Sequence, residues 1–305
     1  MSYVRSFESL SSKVVKPSVI SIAGGNDNEV LACAHASLQA GYARHVIITG
    51  PKREIRQRLS DINADLSLFE ILDTKTPAAS AELAISEVKN GNADILMKGH
   101  IDSAIFLKCI LDKQSGIRNS SVLSNLTLFE LDTYHKLLGI TDNAIVPNPI
   151  LKDKLAFIEN SKPLYTALRI NPVKVGIVAA AEKLSDALPS THDAVAIRAA
   201  CERQELKGFL VDGPFGYDAC ISNEAAKSKN LDHSSVAGDP DLIVFHDLET
   251  ANAVGKAIKF HGRAKSGGLL LGASVPVTFN SRSDNAERRI NSLILACITS
   301  FVDSY

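Results

Sequence analysis

No two cysteines of the sequence are spaced as C-x-x-C, and this absence bears on metal binding and on redox state. The five cysteines are an odd number and are widely scattered. Such a pattern offers no template for a zinc site and is typical of reduced thiols in a cytosolic protein. Most of these cysteines stand among apolar neighbours at helical spacing, where cysteine acts as a small hydrophobic residue. We therefore expect a cytoplasmic protein without a metal site.

Long apolar runs and an excess of charge of one sign are also missing. No stretch of roughly eighteen uncharged apolar residues occurs, so we expect no transmembrane helix. The first seventeen residues carry charge throughout and lack the apolar core of a signal peptide. The net charge of −1 argues against nucleic acid as the main partner, although it leaves room for a local basic pocket. Neither nucleic acid nor a membrane is predicted as a partner.

The order of apolar and amphipathic segments predicts an α/β fold. The chain has 305 residues, enough for two domains, and its 45% hydrophobic and 22% charged content is ordinary for a globular protein. Short apolar runs at 19–23, 46–49, 69–72 and 95–98 alternate with helical patterns, which favours a parallel sheet covered by helices. Two segments at 122–130 and 136–141 have an antiparallel character.

A second alternating series begins at residue 173 and continues to a last strand at 269–271. We predict two α/β lobes, the first formed by residues 1–160 and 275–305 and the second by residues 161–274. The final helix, expected at 287–302, would return to the first lobe. It would carry a polar segment at 280–285 back to the cleft between the lobes.

Candidate ligand-binding residues follow the predicted strands, because ligands of open α/β sheets bind beyond the carboxyl ends of the strands. Gly24 to Asp27 could present amides to an anion, but asparagine and aspartate there equally cap a helix. Burying a lysine at the end of a strand costs free energy unless an anion or an ion-pair partner lies beside its ammonium group. Each candidate also has an ordinary structural explanation: a salt bridge, a hydrogen-bonded histidine, a solvated arginine or a helix cap. These candidates are Lys98, His100, Arg118, Asp142 and the Asp212-Gly213-Pro214 segment.

The polar segment near the C-terminus is the strongest anion-binding candidate. Ser281 and Arg282 offer a hydroxyl, a guanidinium and free amides before a helix start, which together suit a phosphate. A plain helix cap with a surface arginine is the alternative. No Ser-His-Asp order, metal-ligand cluster or Walker loop is visible, and G-x-G-x-x-G is absent after the first strand.

Six segments in order resemble the phosphate acetyl/butyryltransferases, and more closely the butyryl branch (phosphotransbutyrylases). They cover roughly residue 96 to the end: LMKGHIDSAIFLKCIL, GIRNSSVLSNLTLFEL, GITDNAI, LVDGPFGYDACIS, DLIVFHDLETANAVGKAI and GGLLLGASVPVTFNSRSDNAERRINS. The N-terminal hundred residues agree with the family in rhythm rather than in motif.

The resemblance implies a two-lobed fold related to the isocitrate and isopropylmalate dehydrogenases, with the active site in the interlobe cleft. It also implies the conversion of a short- or branched-chain acyl-CoA and phosphate into acyl phosphate and CoA, without metal or prosthetic group. Ser281 and Arg282 match the family's Ser-Arg pair, which binds phosphate and polarises the carbonyl. The family's acetyltransferases place an acid about two turns later, and Asp284 and Glu287 are the nearest acids here. The remaining positions, expected to contact substrate, are Lys98, His100, Arg118, Ser124, Asp142, Asp212, Gly213 and Pro214.

Differences from the family's sequence motifs bear on the specificity for the acyl chain rather than on the type of reaction. Lys108 stands where many members have arginine, Asn125 stands where histidine is common, and NAIVPNPIL is closer to the acetyltransferases. A phosphate acetyltransferase is therefore an alternative. A metal- and NAD-dependent decarboxylating dehydrogenase and a non-catalytic acyl-CoA or phosphate sensor are two more. We expect a homodimer or higher homo-oligomer.

Overall fold

The computed structural model describes residues 3–281 and 283–302, and the first 120 residues alternate helix and strand as the sequence predicts. Six of the described α-helices follow a residue whose side chain accepts a hydrogen bond from an amide of the first turn. Asp27 accepts hydrogen bonds from the Glu29 and Val30 amides, and Thr76 accepts one from the Ala79 amide. In chain order the elements are α1 (Phe7–Ser11), β1 (Ser18–Ala23), α2 (Asn28–Gln39), β2 (Ala43–Gly50), α3 (Lys52–Asp61), a 3-10 turn (Leu66–Leu68), β3 (Phe69–Asp73), α4 (Pro77–Lys89), β4 (Ile95–Lys98) and α5 (Ser103–Ile110).

The rest of the chain holds the antiparallel pair and the second alternating series. Two short helices follow one another at 217–228, because Ser222 between them has an extended backbone and its side chain caps the second. The elements are β5 (Ser124–Glu130), β6 (Leu138–Thr141), α6 (Leu151–Asn160), α7 (Lys162–Leu168), β7 (Val173–Val178), α8 (Pro189–Glu202), β8 (Phe209–Phe215), α9 (Tyr217–Ile221), α10 (Asn223–Ser228), β9 (Leu242–Val244), α11 (Leu248–Phe260), β10 (Lys265–Leu271), β11 (Val277–Thr278) and α12 (Ala286–Thr299).

Contacts divide the chain into two compact units. We call residues 7–120 and 267 onward the terminal unit, and residues up to Ser6 together with 121–266 the central unit. The boundaries of these units differ from those of the expected lobes, in which residues 121–160 belonged to the first lobe. Residues 121–160 lie in the central unit because β6 pairs in parallel with β9, with Gly139 opposite Leu242. Residues 267–274 lie in the terminal unit because β10 pairs with β11.

The terminal unit has the strand order β3-β2-β1-β4-β11-β10. All neighbours are parallel except β10 and β11, which are antiparallel. Every residue of β1 and β4 is buried, as expected for parallel strands with both faces covered. The last helix, α12, packs against α2 and α1, and it carries buried side chains along most of its length.

The central unit has the strand order β5-β6-β9-β7-β8. Strands β5 and β6 are antiparallel, as their sequence indicates, and the other neighbours are parallel. Its core contains Phe129, Ile140, Phe215, Ile243 and Phe245. Among the described residues, no helix has both the length and the apolar character that a membrane crossing requires.

Candidate active site

Three parallel strands of the terminal unit end side by side. Ala23 at the end of β1 lies opposite Lys98 at the end of β4, and Thr278 at the end of β11 lies opposite Met97. The segments that follow these strands therefore emerge at one edge of the sheet, where ligands of α/β sheets bind. Gly99 allows the close approach of two of these segments, because a Cβ there would lie 2.2 Å from the Gly24 carbonyl oxygen.

A cavity of about 220 Å³ opens at this edge. Two cationic side chains line it and are almost fully buried, Lys98 with 5% and Arg289 with 7% of their surface exposed. Two carboxylates face the same space, so the cavity presents cations and anions together. The lining residues are Asp27, Glu29, Val30, Lys98, Gly99, His100, Ile101, Asn280 and Arg289.

Lys98 reaches the cavity from the end of β4, as predicted. Its Nζ lies 5.7 Å from the centre of the Phe279 ring, within the range of a cation–π contact, and Phe279 stacks on Phe106. His100, the second residue predicted here, also lines the cavity. Its side chain is 62% exposed, and its Nδ1 lies 3.7 Å from Asp27 Oδ2. Lys98 and His100 thus line the same cavity.

Arg289 is the residue that sequence reasoning missed. Its Nε is buried and has no hydrogen-bond partner among the described residues, and it lies 3.6 Å from Glu29 Oε2. Its Nη2 donates a long hydrogen bond of 3.5 Å to the Ser281 carbonyl. Arg288-Arg289 reads as an exposed helix start, but helical spacing could have identified Arg289. It lies three and four positions before Ser292 and Leu293, which are buried.

Ser281 follows β11 in a tight turn that Asp284 closes. The Ser281 amide donates to Asp284 Oδ2 at 3.0 Å, and the Asp284 amide donates to the Ser281 carbonyl at 3.1 Å. The expectation of a free amide at Ser281 is therefore wrong, because the nearby carboxylate satisfies that donor. The Ser281 side chain is exposed and its Oγ lies 3.1 Å from Ser283 Oγ. Arg282, predicted to act with Ser281, lies outside the described residues.

The other predicted residues of the terminal unit lie apart from the cavity lining. Glu287 is exposed in the first turn of α12, five residues after Arg282 in sequence. Arg118 is exposed on its loop and forms an isolated backbone bridge with Ala273. Neither residue is among those that line the cavity.

Ser124 and Asp142, expected to contact substrate, are buried in the central unit. Ser124 begins β5 and its Oγ accepts a hydrogen bond from the Asn160 amide group. Asp142 follows β6, and its carboxylate accepts hydrogen bonds from four backbone amides, those of Asn125, Ala144, Ile145 and Val146. Burial raises the pKa of the Asp142 carboxyl, and these amides oppose the shift. The Asp142 carboxylate therefore stabilises the loop that follows it, at residues 143–146.

Asp212, Gly213 and Pro214 lie inside a strand and not after one. The sequence predicted a strand end at Asp212, but β8 continues to Phe215 because its pairing with β7 shifts register between Gly176 and Val178. Asp212 accepts a hydrogen bond from Ser234 Oγ at 2.5 Å and lies 3.5 Å from Arg198 Nη1. The three residues are therefore part of the sheet and do not belong to a loop beyond its edge.

Three of the five cysteines, Cys33, Cys220 and Cys297, are buried, and Cys109 and Cys201 are partly buried. Burial raises the pKa of both Cys33 and Cys297 to about 12, so neither thiol forms a thiolate near neutral pH. Within residues 3–281 and 283–302, no group of three or more histidine, cysteine, aspartate or glutamate side chains could hold a metal ion.

Comparison with known proteins places this geometry in a family. The family model described as phosphate acetyl/butaryl transferase matches residues 78–297. A phosphate butyryltransferase from Clostridium beijerinckii is 33% identical over 296 residues, covering 96% of this chain and 97% of that protein. The crystal structure of a branched-chain phosphotransacylase from Enterococcus faecalis V583 superposes with a TM-score of 0.82 at 28% identity, covering 93% of this chain and 99% of that one.

A more distant structure shows how widely the fold is shared. A 4-hydroxythreonine-4-phosphate dehydrogenase from Klebsiella pneumoniae superposes with a TM-score of 0.54 at 9% identity, covering 93% of this chain and all of that one (100%). At that identity the likeness concerns the fold alone. It confirms the α/β fold of dehydrogenase type that the sequence resemblance implied.

Proposed function

Since the chain belongs to the phosphate acetyl/butyryltransferase family and is an acyltransferase, we propose that its acyl donor is a four-carbon or branched-chain acyl-CoA. The enzyme would transfer the acyl group of butyryl-, isobutyryl- or isovaleryl-CoA to phosphate, giving the acyl phosphate and free CoA. Two relatives support this choice, one named a butyryltransferase and one a branched-chain phosphotransacylase. A phosphate acetyltransferase is the second candidate, because the family description covers acetyl transfer as well.

The observation that carries phosphate as the acyl acceptor is the common edge at which β1, β4 and β11 end. It brings buried Lys98 and Arg289 to one cavity and starts the Ser281 turn beside them. A phosphate dianion would offset the cost of burying two cations, and charge-assisted hydrogen bonds to it are stronger than neutral ones. Asp27 and Glu29 line the same cavity and offset the charge of the two cations, so burial of the cations is tolerated.

The chemistry requires stabilisation of an oxyanion and a place for one proton. A phosphate oxygen attacks the thioester carbon, the carbonyl oxygen becomes an oxyanion, and the C–S bond breaks as the thiolate leaves. The Ser281 hydroxyl is suited to donate to that oxyanion, and Arg282 would act with it as the family resemblance implies. In the reverse direction a base removes the thiol proton of CoA. We assign this role of general base to the carboxylate of Glu287, which is exposed in the first turn of α12.

No cofactor takes part in this scheme, since CoA is product and phosphate is substrate. Orientation of the two substrates and hydrogen-bond donors for the oxyanion account for the catalysis. We further expect a homodimer or higher homo-oligomer in the cytoplasm, and light scattering would measure the assembly.

The test is the release of CoA thiol from a panel running from acetyl- to isovaleryl-CoA, with and without phosphate. Phosphate-dependent release without added metal or nicotinamide supports the transferase, and a kcat/KM highest for the four-carbon or branched chains supports the proposed donor. Highest activity with acetyl-CoA would favour the acetyltransferase. Activity only with NAD and a divalent metal would indicate a dehydrogenase. Binding of acyl-CoA without turnover would indicate a sensor.

A further inference from the structure

Asp284 holds the backbone of Ser281 from both sides of one short turn. Its carboxylate accepts the Ser281 amide at 3.0 Å, while its own amide donates to the Ser281 carbonyl at 3.1 Å. Asp284 is 6% exposed, whereas the Ser281 side chain is exposed. A carboxylate that is buried and aimed at a neighbouring backbone amide is placed for structure rather than for proton exchange with a substrate.

The turn is anchored further into the terminal unit through Asn280. The Asn280 amide group donates to Asp284 Oδ2 at 3.4 Å and to Ser292 Oγ at 3.0 Å. Ser292 lies on α12, and its Oγ also accepts the Gly268 amide of β10 at 3.0 Å. A continuous path of hydrogen bonds thus connects Asp284 to a helix and to a strand. The position of Ser281 is therefore tied to rigid elements.

We propose that Asp284 is a positioning residue that fixes Ser281 for oxyanion stabilisation, and that it is not the general base. The inference rests on the proposed function, in which the Ser281 hydroxyl contacts the reacting carbonyl. Asp284 Oδ2 already accepts two hydrogen bonds. Taking up a proton during turnover would weaken both of them and loosen the serine at the moment when it must be held.

Two substitutions separate positioning from proton transfer. In Asp284→Asn a neutral amide oxygen can occupy the place of Oδ2 and accept both hydrogen bonds, but it cannot act as a base. We expect this variant to keep kcat within about fivefold of the unchanged enzyme and to keep the acid limb of its pH profile. Asp284→Ala removes the acceptor, and we expect kcat to fall roughly a hundredfold, the loss typical of a misplaced oxyanion donor. The KM for acyl-CoA should change little in both.

A double-mutant cycle with Ser281→Ala tests whether Asp284 acts through the serine. If it does, Asp284→Ala should cost less than about threefold once Ser281 is already alanine, because the group that it positions is gone. Thermal melting of each variant identifies any that fail to fold, and the Asp284→Asn comparison then still decides. Equal large losses in Asp284→Asn and Asp284→Ala, or full additivity in the cycle, would overturn the inference. Absence of phosphate-dependent CoA release from the unchanged enzyme would instead overturn the proposed function.

Discussion

Arg289 Nε lies 3.6 Å from Glu29 Oε2, a separation that allows charge attraction but not a hydrogen bond. Arg289 is 7% exposed and borders the cavity that Lys98 also lines. Burying a cation with incomplete hydrogen bonding costs free energy. A phosphate oxygen within reach of Nε would supply the missing acceptor, so this cost would be recovered when substrate binds.

Replacing Arg289 with glutamine should therefore weaken phosphate binding. A hydrogen bond to a charged group contributes about 1.5–3 kcal/mol, so the KM for phosphate should rise roughly 10- to 100-fold. Steady-state kinetics at saturating acyl-CoA would measure it. Arg288→Gln is the matched control, since Arg288 is the adjacent residue of the same helix and does not line the cavity. Equal changes in both variants would show that the helix, and not the cavity, determines the effect.

Much of the fold could be predicted from the sequence because its strands are short, apolar and bounded by turn residues. The predicted strand at 95–98 matches β4 at both ends, and the antiparallel character of 122–141 is present in β5 and β6. The unit boundaries were harder to predict, since they depend on the pairing of β6 with β9, a hundred residues apart in the chain. Such pairings leave no local signal. The two-residue strand β11 was missed because it is too short for any periodicity.

The site was predicted in part, and the reason lies in what capping and strand-end patterns can reveal. Lys98 and His100, which line the cavity, were candidates because polar residues at the end of a buried strand or just after it are unusual. Arg289 was overlooked because a charged pair at a helix start is usually solvated. The Asp212 segment was wrongly placed after a strand, since a Gly-Pro pair normally ends one. Sequence alone does not show which amides a nearby carboxylate will occupy, as Asp284 does at Ser281.

Lys98→Gln should impair catalysis through phosphate and leave acyl-CoA binding nearly unchanged. Loss of one buried cation at the cavity should raise the KM for phosphate about 10- to 100-fold, again the value of a charge-assisted contact. Lys113→Gln, on an exposed loop of the same unit, is the control and should behave like the unchanged enzyme. Retention of the normal KM in Lys98→Gln would remove Lys98 from the phosphate site.

Asp142→Ala should lower stability, because the buried Asn125 amide and the partly buried amides of residues 144–146 lose their acceptor. Each buried donor left without a partner costs about 1–3 kcal/mol, so the Tm should fall by several degrees. Differential scanning calorimetry would measure the change. The exposed carboxylate of Asp232 provides the control, and Asp232→Ala should melt near the original temperature. An unchanged Tm in Asp142→Ala, with activity lost, would instead favour the substrate contact that the sequence predicted.

Stability in acid should depend on Asp239 in the central unit. Burial acts to raise the pKa of its carboxyl, but hydrogen bonds from Lys174 and Lys136 outweigh burial and lower the pKa to about 2. In the unfolded chain an aspartate titrates near about 3.9. A depressed pKa stabilises the folded state above the unfolded value and loses that contribution as the pH falls toward the folded value. Asp239 should thus stop stabilising the fold between about pH 4 and pH 2.

Urea unfolding at pH 6, 4 and 3 would reveal this contribution. Asp239→Asn should be less stable than the unchanged protein at pH 6, and the difference should shrink as the pH is lowered. Asp132→Asn removes an exposed carboxylate of the same unit and should follow the unchanged protein at each pH. A constant difference between Asp239→Asn and the unchanged protein from pH 6 to pH 3 would contradict the role of the ion pairs with Lys136 and Lys174.

Glu287→Gln addresses the base that the reaction needs in the direction of acyl-CoA formation. Glu287 lies in the first turn of α12, where the helix dipole favours a carboxylate, and it is exposed and so can meet a substrate thiol. Loss of a general base costs typically about 100- to 10,000-fold in rate, and we expect kcat to fall by roughly the lower figure because the thiol is acidic enough to ionise partly without help. The KM for acyl phosphate should stay within about threefold, since the glutamine keeps the shape of the side chain and the cavity cations are untouched.

Stopped-flow assays across pH 6 to 9 would measure the effect, and raising the pH should partly restore the variant because more CoA is then thiolate. A Glu287→Gln enzyme with normal kcat at every pH would exclude Glu287, and with Asp284 committed to the Ser281 turn it would direct the search to a carboxylate at the cavity itself, of which Glu29 is the more exposed.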